Sequence, residues 1–277
     1  MSNLSSKVMI GICSIICFNL ISCVQDYQFQ ENSTQHQNLS KTENQNVSDS
    51  IQKPTKFIYL TFDDGPNKGT KNLIQKIKKN KIPATMFIIG QHIYGSKKQR
   101  ENFDVISNDT LFQIANHSWS HANNKFSSYY KQPNLVLDDF FRFNDSLKYN
   151  YNIIRTPARN IWRTHQINVT DIQSSSNSAD TLYANDFILI GWDLEWHFDN
   201  ENQIHENNVE MLNKIDSLFE KNNMRTKNHL VLLAHDQFFK NESNANELDT
   251  LIQNLKQNKD IEFRKIKDYP GIQRLYQ

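Results

Sequence analysis

A chain of 277 residues is long enough for one or two domains. Its 31 Lys+Arg stand against 30 Asp+Glu, a net charge of +1 spread along the chain. That balance excludes a nucleic-acid binder or a polybasic membrane-surface protein, either of which would show a basic stripe or block. No segment recurs at a fixed period, and a single stretch is apolar enough to enter a bilayer, so a stacked-repeat array and a multi-pass membrane protein are excluded too.

That stretch comes first. After a polar, weakly basic start, Val8 to Ile21 is an almost unbroken apolar run of signal-peptide length. It is shorter than the ~20 residues of a spanning helix. It ends in Leu20-Ile21-Ser22-Cys23, which resembles the lipobox of bacterial lipoproteins: an apolar residue three before the cysteine and a small one directly before it. The resemblance implies removal of residues 1–22, a lipid on Cys23 and a place in the cell envelope outside the cytoplasm; an uncleaved signal anchor is the alternative. All three cysteines (Cys13, Cys17 and Cys23) lie in this stretch, so the processed chain would hold no disulfide and no thiolate metal ligand. Residues 23–55 are rich in Gln, Asn, Ser and Thr, with few apolar positions. Such a segment cannot bury enough surface to offset its conformational entropy, and it reads as a disordered tether. Residues 56–277 are then one domain.

Within that domain Phe57 to Phe62 is β-branched and aromatic and stops at Asp63-Asp64-Gly65-Pro66, which reads as a strand running into a loop. Gly69 to Asn80 spaces Leu73, Ile74 and Ile77 among lysines, the pattern of an amphipathic helix. Ala84 to Ile89 is a buried-type strand closed by Gly90, and Phe112 to Ala115 is a third strand leading into Asn116-His117. Leu135 to Tyr151 has helix-like clusters, Asn152 to Arg155 returns to strand, and Phe187 to Trp192 is a strongly apolar strand. A helix over Ile204 to Lys221, a strand over His229 to Ala234, a helix over Asn246 to Gln257 and a strand over Ile261 to Ile266 complete the series. Strands alternating with helices predict an α/β domain with a mostly parallel sheet, whose working groups come from the C-terminal ends of strands.

The chemistry-bearing residues cluster at those ends. Asp63-Asp64-Gly65 is ordinary turn chemistry when it stands alone. In His117-Ser118-Trp119-Ser120-His121 two histidines four apart would share one face of a helical turn and could reach one ion. Arg155-Thr156-Pro157 follows a strand, and Leu232-Leu233-Ala234-His235-Asp236 puts a histidine after another apolar run. His165, His197, His205 and His229 lack partners at ligand spacing and read as surface or structural residues. Trp162, Trp192 and Trp196 could form a sugar platform, with core packing the better expectation for at least one.

In this order and at these spacings the residues resemble the polysaccharide deacetylase family, the group built on the NodB homology domain (carbohydrate esterase family 4). Thr61-Phe62-Asp63-Asp64-Gly65 is similar to its first motif, His117 to His121 to its second and Arg155-Thr156-Pro157 to the start of its third. Trp192-Asp193-Leu194-Glu195-Trp196 is similar to the fourth motif, Leu233-Ala234-His235 to the fifth, and Ala84 to Gly90 to the family's second strand. The resemblance implies a distorted, incomplete (β/α) barrel and removal of N- or O-acetyl groups from a polysaccharide. It implies a divalent metal, zinc foremost, on Asp64, His117 and His121; two imidazoles and one carboxylate leave positions open, as catalytic zinc requires, and would also suit non-haem iron. Asp63 would be the general base, with Arg155 holding it by an ion pair. His235 would be the general acid, with Glu195 or Asp193 orienting it and Trp196 and Leu233 walling the site. Two departures stand out: Ala158 and Arg159 occupy places where the family often has an aromatic residue and Gly, and Glu195 stands where Asp usually precedes Trp. Arg159, with Arg163 and His165 nearby, would meet an anionic substituent on the glycan or serve a plain surface role. The competing readings are a non-catalytic glycan-binding lipoprotein of the same fold and a metal amidase acting on a small non-sugar amide.

Overall fold

In a computed structural model the described residues are 54–199, 201 and 203–272. The leader over residues 1–22, the lipid site Cys23 and nearly all of the tether lie outside them. Ten strands make one sheet: β1 (Lys56–Gly65), β2 (Ala84–Ile88), β3 (Phe112–Asn116), β4 (Ile153–Ile154), β5 (Ile161–Arg163), β6 (Asn168–Thr170), β7 (Ile188–Leu189), β8 (Leu194–Glu195), β9 (His229–His235) and β10 (Ile261–Phe263). The helices are α1 (Thr70–Asn80), α2 (Gly90–Ile93), α3 (Lys97–Asn108), α4 (Phe126–Tyr129), α5 (Pro133–Leu147), α6 (Ser176–Ala184), α7 (Asn208–Lys221) and α8 (Glu242–Gln257). The sheet runs β6-β5-β7-β4-β3-β2-β1-β9-β8, with β10 beside the start of β1, and it is an open path that curls without closing. All neighbours pair in parallel except β5, which runs against β6 and β7. Among the described residues no helix is long and apolar enough to cross a membrane.

Side-chain alternation along β1 sets the two sides of the sheet. Ile58, Leu60 and Phe62 join a buried cluster with Leu73, Ile74 and Ile77 of α1 and Leu248, Leu251, Ile252 and Leu255 of α8. Burying each such side chain contributes about 1.5–3 kcal/mol. Tyr59 faces the opposite way, into the hollow of the curved sheet with Phe87, Trp162, Val231 and Tyr269. Asp63 lies on this inner face, two pleats beyond Tyr59, and pairs with His235 across β1 and β9.

Several boundaries differ from those read in the sequence. The apolar run from Phe187 makes a strand only over Ile188–Leu189, because the carbonyls of Ile190 and Gly191 accept from the Arg155 guanidinium at 3.0 and 2.7 Å. The helix expected from Ile204 begins at Asn208, where Asn207 caps the N–H groups of Val209 and Glu210 and the Glu210 carboxylate accepts from Asn207 N–H. Helix α3 went unread because its buried face is thin: Asn102, Phe103 and Ile106. The β5–β6 hairpin and α6 also went unread. The buried Arg163 breaks the apolar pattern, and its charge is met by Asp180 at 2.8 Å and by the carbonyls of Trp162 and Val169.

Candidate active site

Two adjacent residues of a regular strand point to opposite faces, yet Asp63 and Asp64 line the same pocket. The backbone resolves this at Asp64, whose φ of 71° is left-handed, in a strand whose register against β2 shifts between Phe62 and Gly65. Asp tolerates this region better than most residues. Gly65 is needed next to it because a Cβ there would lie 2.8 Å from Asp236 Oδ2.

The histidine pair is not on a helical turn. His117 follows the end of β3, and Ser118 and every residue from His121 to Asn124 have positive φ, so the chain turns back in a left-handed loop. An α-turn would carry the second ring up the outside of the sheet; this loop keeps both over the strand ends, with ring centroids 5.2 Å apart. Such conformations cost of order 1–2 kcal/mol per residue and are held here by side chains. Asn116 Oδ1 accepts from Ser118 N–H at 2.8 Å, Ser118 Oγ accepts from His121 N–H at 3.0 Å, and Asp139 accepts from the Ser120 and Tyr129 hydroxyls at 3.0 Å.

Asp64 Oδ1 lies 3.5 Å from His117 Nε2 and 3.2 Å from His121 Nε2. It is buried and has no hydrogen-bond partner, an orphaned acceptor facing two ring nitrogens. His117 Nδ1 is 2.9 Å from the Arg155 carbonyl; a carbonyl only accepts, so Nδ1 donates there and Nε2 is the nitrogen that faces the cluster. The His92 ring likewise donates from Nδ1 to the Asp64 carbonyl at 2.8 Å and steadies the loop. Burial, reinforced by charge on His117, pushes the His121 pKa down to about 4 and leaves that ring neutral at pH 7. For Asp64 burial acts upward, but the three surrounding histidines outweigh it and hold the carboxyl well below the usual range. For His117 burial acts downward, but the Asp63 and Asp64 carboxylates outweigh it and raise the pKa, favouring a proton that a bound cation would displace. One oxygen and two imidazole nitrogens converging in this way fit a divalent metal.

Asp63 is held from the other side. Arg155 is fully buried and donates to Asp63 Oδ1 at 2.8 Å, to Thr61 Oγ1 at 2.8 Å and to the Ile190 and Gly191 carbonyls. Its guanidinium lies over the Phe87 ring, 4.1 Å from the centroid. With Oδ1 engaged, Oδ2 is the free carboxylate atom, 3.7 Å from His117 Nε2.

One pocket of about 310 Å³ collects Asp63, Asp64, His117, His121, Glu195 and His235, with Ala158, Trp192 and Leu233 as walls. Arg155 sits beneath it. Glu195 and His235 share the pocket without a hydrogen bond between them; Glu195 Oε2 lies 3.9 Å from His197 Nε2, and the His235 ring meets Phe238 edge-on. Asp193 does not orient His235. Its carboxylate accepts from Arg225 and Val231 N–H groups at 2.8 and 2.9 Å, and burial raises its pKa to about 6. Trp196 does not wall the site, because it is buried among Phe198 and Phe239 with its indole N–H on the Glu206 carbonyl. Trp162 is also a core residue, which leaves Trp192 as the indole at the pocket. Arg163 is spent on Asp180, and Arg159 bonds to Ser175 and to the Ala158 carbonyl while lying over Tyr130.

Four contributors were not singled out in the sequence: Thr61, His92, Asn116 and Asp236. Thr61 stands in the first motif, and Asn116 and Asp236 directly flank His117 and His235, which is the signal that could have found them. Asp236 is fully buried beside His235; its Oδ2 accepts from the Thr70 hydroxyl and its Oδ1 has no partner. Burial, with the negative charges of Asp64 and Asp63 adding to it, lifts its pKa to about 8. Between pH ~4 and ~8 the folded chain therefore holds a proton that the unfolded chain has released, so stability falls as pH rises through that window. Asp236→Asn keeps an acceptor for Thr70 and removes the titration. Urea midpoints measured across the window should decline less steeply for this variant than for the parent, and equal slopes would refute the assignment.

Residues 50–171 match the family model described as polysaccharide deacetylase, which takes in β1 to β6 and ends before Glu195 and His235. A peptidoglycan-N-acetylglucosamine deacetylase of Listeria monocytogenes is 28% identical over 138 residues, 48% of this chain and 28% of that protein. A peptidoglycan-N-acetylmuramic acid deacetylase of Bacillus subtilis is 39% identical over 67 residues, 24% of this chain and 14% of that protein. The match thus spans less than a third of the length of these curated relatives. Among solved structures, the catalytic domain of a peptidoglycan N-acetylglucosamine deacetylase from Eubacterium rectale superposes with a TM-score of 0.56 at 22% identity, covering 78% of this chain and 91% of that one, which shows a shared fold. The matched model over residues 50–171, the ordered motifs and this fold agree in pointing to the polysaccharide deacetylase family.

Proposed function

We propose that the protein is a metal-dependent deacetylase that removes acetyl groups, N-acetyl foremost, from a glycan of the cell envelope or its surroundings. The observation that carries this reading is the meeting, in one pocket, of a buried Asp63–Arg155 pair with the Asp64, His117 and His121 donor set. A divalent cation, zinc by its donors, would be held by those three residues and supply Lewis acidity, polarising the acetyl carbonyl and making water more acidic. Asp63, its Oδ1 fixed by Arg155, takes the proton of the attacking water on Oδ2. His235 donates a proton to the departing sugar nitrogen as the carbon–nitrogen bond breaks, so water and the amide give acetate and the free amine. Glu195 keeps a carboxylate close to that charge, and Trp192 and Leu233 close the pocket around the acetyl group. The proposal extends to location: with residues 1–22 removed, a lipid on Cys23 would anchor the domain at the envelope through residues 23–55.

Acetate release by the full chain supplied with Zn²⁺ tests this directly. Chitin oligomers, peptidoglycan, acetylated xylan and an acetylated exopolysaccharide form the panel, with a chelated sample beside it. Release from at least one substrate, lost on chelation and restored by Zn²⁺, is expected. Silence across the panel with metal bound and the fold intact would overturn the reading.

A further inference from the structure

The pocket does not end at the metal-ligand cluster. A second hollow of about 470 Å³ is lined by Gln91, His92, Ser120, Asn123, Asn124 and Gln237, and it shares Asp64 and His121 with the first. The two hollows meet at Asp64 and His121, two members of the donor set, and are taken together as the arms of the site. Gln91, Asn123, Asn124 and Gln237 are exposed, so their amides offer donors and acceptors to whatever lies there. Among the described residues neither arm is lined by a lysine or arginine. The guanidinium beneath, Arg155, is fully buried and spent on Asp63, Thr61 and two carbonyls, while Arg159 and Arg163 are tied to Ser175 and Asp180. The ionisable groups that do line the arms are the carboxylates Asp63, Asp64 and Glu195 and the histidines His92, His117, His121 and His235.

We infer that the cleft selects a glycan whose units flanking the acetylated sugar are uncharged, and disfavours one whose flanking units carry a carboxylate. This rests on the deacetylase reading and deepens it. Hydroxyl and acetamido groups exchange water for the amides of Gln91, Asn123, Asn124 and Gln237 at little cost. Away from the metal-ligand junction, a carboxylate-bearing sugar would give up its hydration with no lysine or arginine to receive it, and in the other arm it would meet Glu195.

The test compares kcat/KM of the full chain with Zn²⁺ on an oligomer of N-acetylglucosamine and on one of equal length in which alternate units bear a carboxylate. The neutral oligomer should be preferred by about tenfold or more, and added salt should narrow the gap by screening. Gln91→Lys should raise the acidic-to-neutral ratio of kcat/KM by placing a cation in the second arm. Equal or greater turnover of the acidic oligomer, or a ratio unmoved by Gln91→Lys, would overturn the inference while leaving the deacetylase reading in place. No acetate from either oligomer, in a protein that also fails on the wider panel, would remove both.

Discussion

In the Asp63→Asn protein, acetate release is expected to fall by roughly a thousandfold while zinc stoichiometry stays that of the parent. The reason lies in how the carboxylate is held. Arg155 Nη1 donates to Oδ1, and the asparagine carbonyl can still accept that bond, so the side chain should keep its place. What disappears is the free oxygen, Oδ2, and with it the site that would accept a proton from water. Asp64, His117 and His121 are untouched, and the ring of His117 remains fixed by the Arg155 carbonyl. Steady-state acetate assays and metal analysis of the same preparation check both halves. Undiminished turnover would remove Asp63 from the role of base; parallel loss of metal and activity would make it a ligand instead.

Replacing Arg155 should cost the domain much of its stability. Its side chain is fully enclosed and makes hydrogen bonds to Asp63, Thr61, Ile190 and Gly191. Arg155→Met fills much of the volume but leaves a buried carboxylate without its partner and two carbonyls without donors. Breaking a buried pair in this way costs about 3–5 kcal/mol, roughly 10 °C of thermal midpoint for a domain of this size. Lysine should not rescue it, since a single ammonium cannot serve acceptors spread over β1 and the Ile190–Gly191 segment. Removing both charges, in Asp63→Asn with Arg155→Met, should cost less than the sum of the single changes, because no orphaned carboxylate remains. Thermal unfolding of the four proteins checks this; strict additivity would mean that the pair is not coupled.

The same guanidinium shows why some of the architecture escaped a reading by pattern. An apolar run such as Phe187 to Trp192 promises a long strand, but the promise assumes that its carbonyls face a neighbouring strand. Here two of them face Arg155, a residue more than thirty positions away, and the ladder stops at Leu189. Asp193 and Glu195 present the same lesson in side chains. One carboxylate of this segment is consumed by backbone N–H groups of Arg225 and Val231, and the other stands in the pocket. Nothing in their spacing distinguishes them, because the distinction is made by what packs against each.

What the sequence determined by itself was set by local chemistry: the alternation of apolar strands with amphipathic helices, hence a mostly parallel sheet, and the placing of Asp63, His117, Arg155 and His235 at strand ends, where that sheet gathers its reactive groups. The tertiary structure alone decided how those groups converge. Asp64 joins Asp63 on one face only through a left-handed residue in a strand that shifts register, and His121 meets His117 only through a left-handed loop held by Asn116, Ser118 and Asp139. Both conformations are unfavourable in isolation. They persist because side chains within the loop, Asn116 and Ser118, and others from farther along the chain, Asp139 and His92, hydrogen-bond to them, and such contacts leave no periodicity in the sequence.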